Sequence, residues 1–181
     1  GGYTIYIPDC FADFDNITVA FESTSNSNGA INFGTKWFSL RNSKIIRAKQ
    51  GRGAIEFIQA AGKTEPITII GCTFDECESL DLRCFNISTQ PSTSITFDDN
   101  IIKNMEEQGN SVKIGLINLN NKDNAFTINN LTLVNNSCSS EYGGGSGLKI
   151  INQNPGTKVT LSNCLFERNT AQKTDDVSSY A

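Results

Sequence analysis

An eight-residue pattern that recurs along this chain constrains its fold more than any other feature. The pattern is an apolar residue, Thr, an apolar residue, any residue, a small polar residue, two variable residues and a final apolar residue. Copies begin at Val159, Phe126, Ile95 and Ile67, and a copy with Ser in place of Thr begins at Phe38. A spacing of about 30 residues between copies is typical of a solenoid, in which equivalent coils stack on one another.

The beginning of the chain carries a weaker version of the pattern. We place the first copy at Ile17, because residues 17–19 match the strand, although Phe21 stands at the small polar position. Upstream, residues 3–7 read as a β-strand that ends at Pro8. Terminal coils of solenoids need modified units, so residues 1–37 are predicted to form atypical N-terminal coils.

Within each copy, the apolar-Thr-apolar triplet predicts a strand with two inward side chains and an outward Thr. The small polar residue tolerates left-handed backbone angles and therefore turns the chain. These bend residues are Asn42, Gly71, Asp99, Asn130 and Asn163. The predicted inward columns are Ile67, Ile95, Phe126 and Val159, then Ile69, Phe97, Ile128 and Leu161, then Phe74, Ile102, Leu133 and Phe166 on the next face.

A second strand signal follows each copy. The predicted strands cover residues 29–33, 53–57, 80–85, 112–116 and 147–150. Polar segments absorb the differences in spacing, and they are the usual place for binding in a solenoid. These segments cover residues 23–28, 60–66, 88–94, 118–125 and 152–158.

These patterns predict an all-β chain, a right-handed parallel β-helix solenoid of about six coils. A hydrophobic content of 38% supports one core, so residues 1–181 are predicted to form a single domain. Regular coils are expected over residues 38–171, followed by a C-terminal tail over residues 172–181.

The chain has 6 Cys and no His. Cys72 and Cys164 occupy the same repeat position, which favours small buried residues in an inward stack. They lie three coils apart, too far for a disulfide. Cys77 and Cys84 are close in sequence and are a candidate disulfide across a corner. Without His or a CxxC pair, no metal site is predicted.

The best carboxylate cluster for chemistry is Asp98-Asp99, with Asp75-Glu76 expected beside it on the preceding coil. Asp99 takes the bend position, which favours a structural role in turn formation. Ser and Cys nucleophiles lack a His base. We therefore predict no catalytic residue and no cofactor.

Four Asn-X-Ser/Thr sequons begin at Asn16, Asn86, Asn130 and Asn135. Asn86 is the best predicted acceptor for a glycan, because the segment 90–92 that follows it resembles an exposed loop. Asn130 is a weaker acceptor, since its bend position is expected to be buried in an Asn ladder.

Two short motifs near the C-terminus carry a family resemblance. Phe166-Glu167-Arg168-Asn169 has the FxxN spacing, and Gly144-Gly145-Ser146-Gly147-Leu148-Lys149-Ile150 is a Gly-Gly-small-aliphatic strand. Together they resemble the repeats of the polymorphic outer membrane protein family, and the resemblance covers about residues 38 to 171. It implies a right-handed parallel β-helix of the pectin-lyase-like architecture and a role as a surface adhesin or secreted fibrous protein.

The leading functional hypothesis is a non-enzymatic structural or adhesive module, extracellular or at the cell surface. Its expected ligands are glycans or other molecules of a host or cell surface. The module is also expected to associate end to end with further copies or to continue in a longer chain. The alternatives are a polysaccharide lyase or hydrolase of the pectin-lyase-like class, and a carbohydrate-binding module using Trp37 or Tyr142. The net charge of −4 and scattered basic residues argue against nucleic acid. No apolar window is long enough to predict a membrane span.

Overall fold

The computed structural model describes residues 3–8, 10–21, 29–33, 38–48, 54–59, 67–77, 80–84, 95–108, 115–121, 126–140, 145–152 and 159–173. No helix is present in these residues, and every described pair of neighbouring strands is parallel. The chain is thus an all-β parallel solenoid, as its repeats predict.

The described strands form three sheets of six strands each and one sheet of three strands. Sheet A contains β1 (Tyr3–Tyr6), β4 (Gly29–Asn32), β7 (Ile55–Gln59), β10 (Leu80–Cys84), β14 (Gly115–Asn121) and β18 (Gly145–Asn152). Sheet B contains β2 (Ala12–Asp15), β5 (Phe38–Arg41), β8 (Ile67–Ile70), β11 (Ile95–Asp98), β15 (Phe126–Asn129) and β19 (Val159–Ser162).

Sheet C contains β3 (Thr18–Ala20), β6 (Lys44–Ile46), β9 (Thr73–Asp75), β12 (Ile101–Lys103), β16 (Thr132–Val134) and β20 (Leu165–Glu167). Sheet D contains β13 (Glu106–Gln108), β17 (Ser137–Ser140) and β21 (Thr170–Lys173). The chain visits sheets A, B and C in this order and returns to A, so one strand in each sheet belongs to one coil. The handedness and the number of complete coils stay predictions.

Stacked apolar side chains fill the interior, because period-2 alternation directs every second side chain of a strand inward. The register pairs Phe97 with Ile69 on one side and with Ile128 on the other. On the next face, Ile102 pairs with Phe74 and Leu133 in the same way. All six side chains are at most 1% exposed. These six predicted inward positions are confirmed, and they belong to one continuous core.

The predicted position of the first copy is wrong by one strand. The strand that pairs with Phe38–Arg41 is Ala12–Asp15, and Thr18–Ala20 instead pairs with Lys44–Ile46 in sheet C. Asn16 has the positive φ of 55° expected of the bend residue. Ile17-Thr18-Val19 resembles the repeat only because a bend followed by sheet C also reads as apolar-Thr-apolar.

A second predicted strand is displaced. The expected strand over residues 112–116 is observed as Gly115–Asn121, which runs into the segment 118–125 expected to be a loop. The register pairs Ile117 with Leu80 and Leu148. Ile117 and Leu119 therefore lie in a strand of sheet A. The Asn residues that alternate with them gave this segment the composition of a loop. Residues 112–114 lie outside the described part of the chain.

Candidate functional site: two rows of bend residues

Two sharp bends recur in the solenoid, one between sheets B and C and one directly after sheet C. The described residues with positive φ all fall at these two positions. The first bend uses Asn16, Asn42, Gly71, Asp99, Asn130 and Asn163, and the second uses Arg47, Glu76, Asn104, Asn135 and Arg168. Asn, Asp and Gly occupy the first bend because they tolerate the left-handed region. The second bend also accepts Arg47, Glu76 and Arg168. The predicted bend role of the small polar residue is confirmed.

The residue after each bend residue points into the core, and this inward bend position often carries a polar group. At the first bend it is Ile17, Ser43, Cys72, Asn100, Leu131 and Cys164; at the second it is Ala48, Cys77, Met105, Asn136 and Asn169. Three of these polar residues, Ser43, Asn100 and Asn136, are at most 1% exposed. A buried polar group is costly unless it is hydrogen-bonded, so the partners of these residues decide their role.

Asn136 and Asn169 form an amide ladder inside the second bend. The Asn136 Nδ2 donates to the Ile102 carbonyl at 3.2 Å and to Asn169 Oδ1 at 2.8 Å. Its Oδ1 accepts the main-chain N–H of Met105 at 3.0 Å. Asn169 repeats the arrangement one coil later, where its Nδ2 donates to the Leu133 carbonyl at 2.9 Å. The amides thus satisfy main-chain groups of the preceding coil that would otherwise be buried without partners.

Asn100 has the same role at the first bend. Its Oδ1 accepts the Cys72 N–H at 2.9 Å, and its Nδ2 donates to the Ile69 carbonyl at 2.8 Å. Two coils before Asn100, Ser43 Oγ accepts the Ile17 N–H at 3.2 Å and donates to the Arg41 carbonyl at 2.6 Å. Polar inward bend residues hold one coil to the next. The sequence carried a signal for this role, because a small or amide residue follows many bend residues.

The thiols at the inward bend position also form hydrogen bonds with main-chain carbonyl groups. Cys72 Sγ lies 3.3 Å from the Ile70 carbonyl, and Cys77 Sγ lies 3.4 Å from the Ile45 carbonyl. Cys72 is buried and Cys164 is half-buried, and neither forms a disulfide. Burial raises the pKa of the Cys72 thiol, and it raises the pKa of Cys77 from 9.0 to about 11. Both groups are held as neutral thiols, which are poor nucleophiles.

The candidate disulfide between Cys77 and Cys84 stays a prediction. Cys77 is a free thiol in the structure, and the side chain of Cys84 lies outside the described residues. Cys84 ends β10 in sheet A, where it pairs with Gln59, whereas Cys77 follows a bend after sheet C.

The raised pKa of Cys77 predicts a loss of stability at alkaline pH. The folded pKa lies above the unfolded one, so this contribution is complete below pH 9 and disappears as pH rises towards 11. At pH 11 we expect a loss of about 2 kcal/mol relative to pH 8, because deprotonation is easier in the unfolded chain. Urea unfolding at several pH values measures it, and Cys77→Ala should flatten the slope. An identical slope in Cys77→Ala would contradict the assignment to Cys77.

The two carboxylate pairs do not form the cluster expected from the sequence. Asp98 lies in sheet B next to Ile70 and Asn129, whereas Asp75 lies in sheet C beside Lys103. Asp98 and Asp75 therefore lie on two different faces of the solenoid, which the first bend separates. The expectation failed because the two pairs occupy different positions of the repeat: Asp98 ends a strand of sheet B, whereas Asp75 ends a strand of sheet C.

Each carboxylate also has its own structural partner. Asp98 Oδ1 accepts Asn129 Nδ2 at 3.0 Å. Asp75 lies 3.0 Å from Lys103 Nζ and accepts Asn104 Nδ2 at 2.8 Å. Asp99 is an exposed bend residue with φ of 53°. Within the described ranges, no three His, Cys, Asp or Glu side chains converge to hold a metal ion.

The three described sequons share one local structure. Asn16 and Asn130 occupy the first bend and Asn135 the second, with all three side chains exposed. Asn130 is thus not buried in a ladder, contrary to expectation, whereas Asn135 Nδ2 donates to Asn104 Oδ1 at 2.7 Å. In each sequon the bend Asn comes first and an outward Ser or Thr comes third, so repeat geometry by itself generates the motif. Glycosylation stays a prediction, and Asn86 lies outside the described residues.

The outer face of sheet B carries the most regular surface feature of the described chain. Ser39, Thr68, Thr96 and Thr160 occupy equivalent outward positions, and the register places residue Thr127 between the last two. We name this set the hydroxyl row. Neighbouring coils lie about 4.8 Å apart, so the row repeats hydroxyl groups at that spacing. Trp37 and Tyr142, the aromatic residues considered for glycan binding, lie outside the described part of the chain.

No family model matches this chain, and no curated protein or solved structure is significantly similar to it. Among the residues that the structure describes, no helix is long and apolar enough to cross a membrane.

Proposed function

We propose that this chain is a non-enzymatic structural and adhesive β-solenoid module that acts outside the cell or at its surface. The observation that carries the proposal is the use of recurring polar residues. Asn100, Asn136 and Ser43 bond main-chain groups of the preceding coil, and Asp75 and Asp98 bond side chains of neighbouring coils. Asp75 and Asp98, which could supply acid or base chemistry, thus bond neighbouring coils.

The pectin-lyase-like architecture and the resemblance to polymorphic outer membrane proteins agree with this role, and both are part of the proposal. So are secretion and glycosylation at Asn16 or Asn130, whose side chains are exposed. The hydroxyl row supports adhesion, since it offers regularly spaced donors and acceptors along the solenoid axis. A linear polymer with a repeated hydroxyl pattern, such as a cell-surface glycan, would contact several coils at once, which multiplies weak contacts.

Retention on insoluble neutral and acidic polysaccharides tests this surface. Thr68→Val with Thr96→Val keeps the side-chain shape and removes two hydroxyl groups, so we expect binding to weaken about tenfold. Thr73→Val is the matched control, because Thr73 is also an outward strand residue but lies in sheet C. Equal losses in both variants would reject the hydroxyl row as the binding surface.

Turnover of the same polysaccharides distinguishes the proposal from a lyase or hydrolase. We expect no release of unsaturated or reducing sugar ends by the purified protein. Cleavage that is abolished by Asp98→Ala or Asp99→Ala would overturn the non-enzymatic role, because these carboxylates would then have functions beyond stacking and turn formation.

A further inference from the structure

Both ends of the described solenoid present strand edges without a neighbour in the described residues. In sheets A, B and C, the strands β18, β19 and β20 pair on one side only, and β1, β2 and β3 pair only on the other side. Open strand edges carry a row of main-chain donors and acceptors that can pair with another chain. The two ends therefore expose opposite edges of the same parallel sheets.

The last coil leaves inward apolar side chains uncovered. Leu161 and Phe166 are 49% and 50% exposed, whereas Ile128 and Leu133, at the same positions one coil earlier, are 1% and 0% exposed. Leu165 is equally exposed at 49%, but it pairs with Thr132 and occupies the outward position of sheet C. Leu161 and Phe166 thus form an apolar surface at the end of the core, whereas Leu165 lies outside it.

A fixed set of main-chain hydrogen bonds joins each coil to the next at the two bends. The N–H of a first-bend residue donates to the next coil, as Asn130 does to the Ser162 carbonyl at 3.0 Å. The carbonyl of the inward bend residue accepts from the next coil, as Leu131 does from the Leu165 N–H at 2.8 Å. At the second bend, the Asn135 N–H donates to the Glu167 carbonyl at 2.9 Å.

The last coil has the same groups with no described partner. By equivalence they are the N–H of Asn163, the carbonyl of Cys164 and the N–H of Arg168. The Asn169 N–H also lacks a described acceptor, whereas the equivalent Asn136 N–H donates to Asn169 Oδ1 at 3.2 Å. A further coil in the established register would satisfy the first three groups with its main chain.

The first coil offers the complementary groups. In the second coil, the Arg41 carbonyl, the Lys44 N–H and the Ile46 carbonyl bond to the first coil. The register pairs these three residues with Asp15, Thr18 and Ala20 of the first coil. Inside this edge, Phe14 and Ile17 are partly exposed and pack against the core on their other side. The first coil thus presents acceptor, donor, acceptor in the order in which the last coil presents donor, acceptor, donor.

We propose that the chain associates head to tail with a second copy of itself, the last coil of one copy pairing in parallel with the first coil of the next. The Asn163 N–H donates to the Asp15 carbonyl, the Thr18 N–H donates to the Cys164 carbonyl, and the Arg168 N–H donates to the Ala20 carbonyl. Leu161 then packs on Phe14, which is partly exposed. The contact joins two different surfaces and does not close on itself, so it builds an open filament.

Sedimentation velocity of the 181-residue chain up to about 1 mM tests the association directly. We expect species that grow beyond a dimer with concentration. Leu161→Lys places a charge in the apolar contact and should weaken association at least about tenfold. Leu165→Lys is the matched control, since it adds the same charge to an equally exposed leucine of the same coil on its outer face. Circular dichroism should show that both variants keep the fold.

A mixing experiment establishes the direction of the contact. Leu161→Lys protein still has an intact first coil, so an excess of it should bind the last coil of wild-type chains and shorten the assemblies. A monomer at about 1 mM, growth that stops at a dimer, or equal effects of the two lysine variants would each overturn the proposal. Assembly is measured without glycan, and Thr68→Val with Thr96→Val should assemble normally, so failure of adhesion and failure of assembly are distinguishable.

Discussion

Replacing Phe97 with alanine is expected to lower the free energy of unfolding by about 4 kcal/mol, because it removes a large side chain from the middle of a close-packed column. Phe97 is 1% exposed and lies between Ile69 and Ile128 on neighbouring coils. Each coil packs only on its two neighbours in a solenoid, so the cavity weakens two interfaces at once. Equilibrium unfolding in urea measures the change.

Ile101→Ala is the control for this substitution. Ile101 follows Phe97 by one bend, but it points outward and is 42% exposed. Its replacement should cost less than about 1 kcal/mol, since little buried apolar area is lost. Similar losses for the two variants would show that the register of this coil is incorrect.

Replacing Asn136 with alanine is expected to cost about 3 kcal/mol. The substitution removes the acceptor of the Met105 N–H and the donor to the Ile102 carbonyl, and it leaves Asn169 without its amide partner. Water cannot replace these hydrogen bonds, because Asn136 is only 1% exposed. The penalty therefore comes from unsatisfied main-chain groups more than from lost packing.

Asn135→Gly is the control for the ladder, because it alters the adjacent residue and keeps its positive φ of 57° accessible. It removes only an exposed hydrogen bond to Asn104, so we expect a loss below about 0.5 kcal/mol. Chemical unfolding of both variants, followed by fluorescence and circular dichroism, compares them. An Asn136→Ala protein as stable as Asn135→Gly would show that the buried amide is dispensable.

The regular coils could be predicted from local patterns. Apolar alternation placed Ile69, Phe97 and Ile128 in one column, and the observed register confirms it. The bend position was equally readable, because Asn, Asp and Gly share a tolerance of left-handed backbone angles. Sheet D was not predicted as a separate face, since Glu106–Gln108 and Thr170–Lys173 lack an apolar alternation.

The first coil shows why local patterns fail at the end of a solenoid. The motif at Ile17 matches the repeat in residue type, but the strand that pairs with Phe38–Arg41 contains Asp13 and Asp15 at its outward positions. Outward positions accept almost any polar residue, so Asp replaced the expected Thr without changing the pairing. Only the neighbouring coil distinguishes a strand of sheet B from one of sheet C.

The sequence by itself determined that the chain repeats, which side chains face inward in the regular coils, and where the first bend lies. These properties depend on the period of two along a strand and on the angles that single residues tolerate. The tertiary structure decided the register of the first coil, the separation of Asp75 from Asp98, and the partners of Asn100 and Asn136. These depend on which main-chain groups the adjacent coil places opposite each residue, a relation between positions about 30 residues apart that no local pattern encodes.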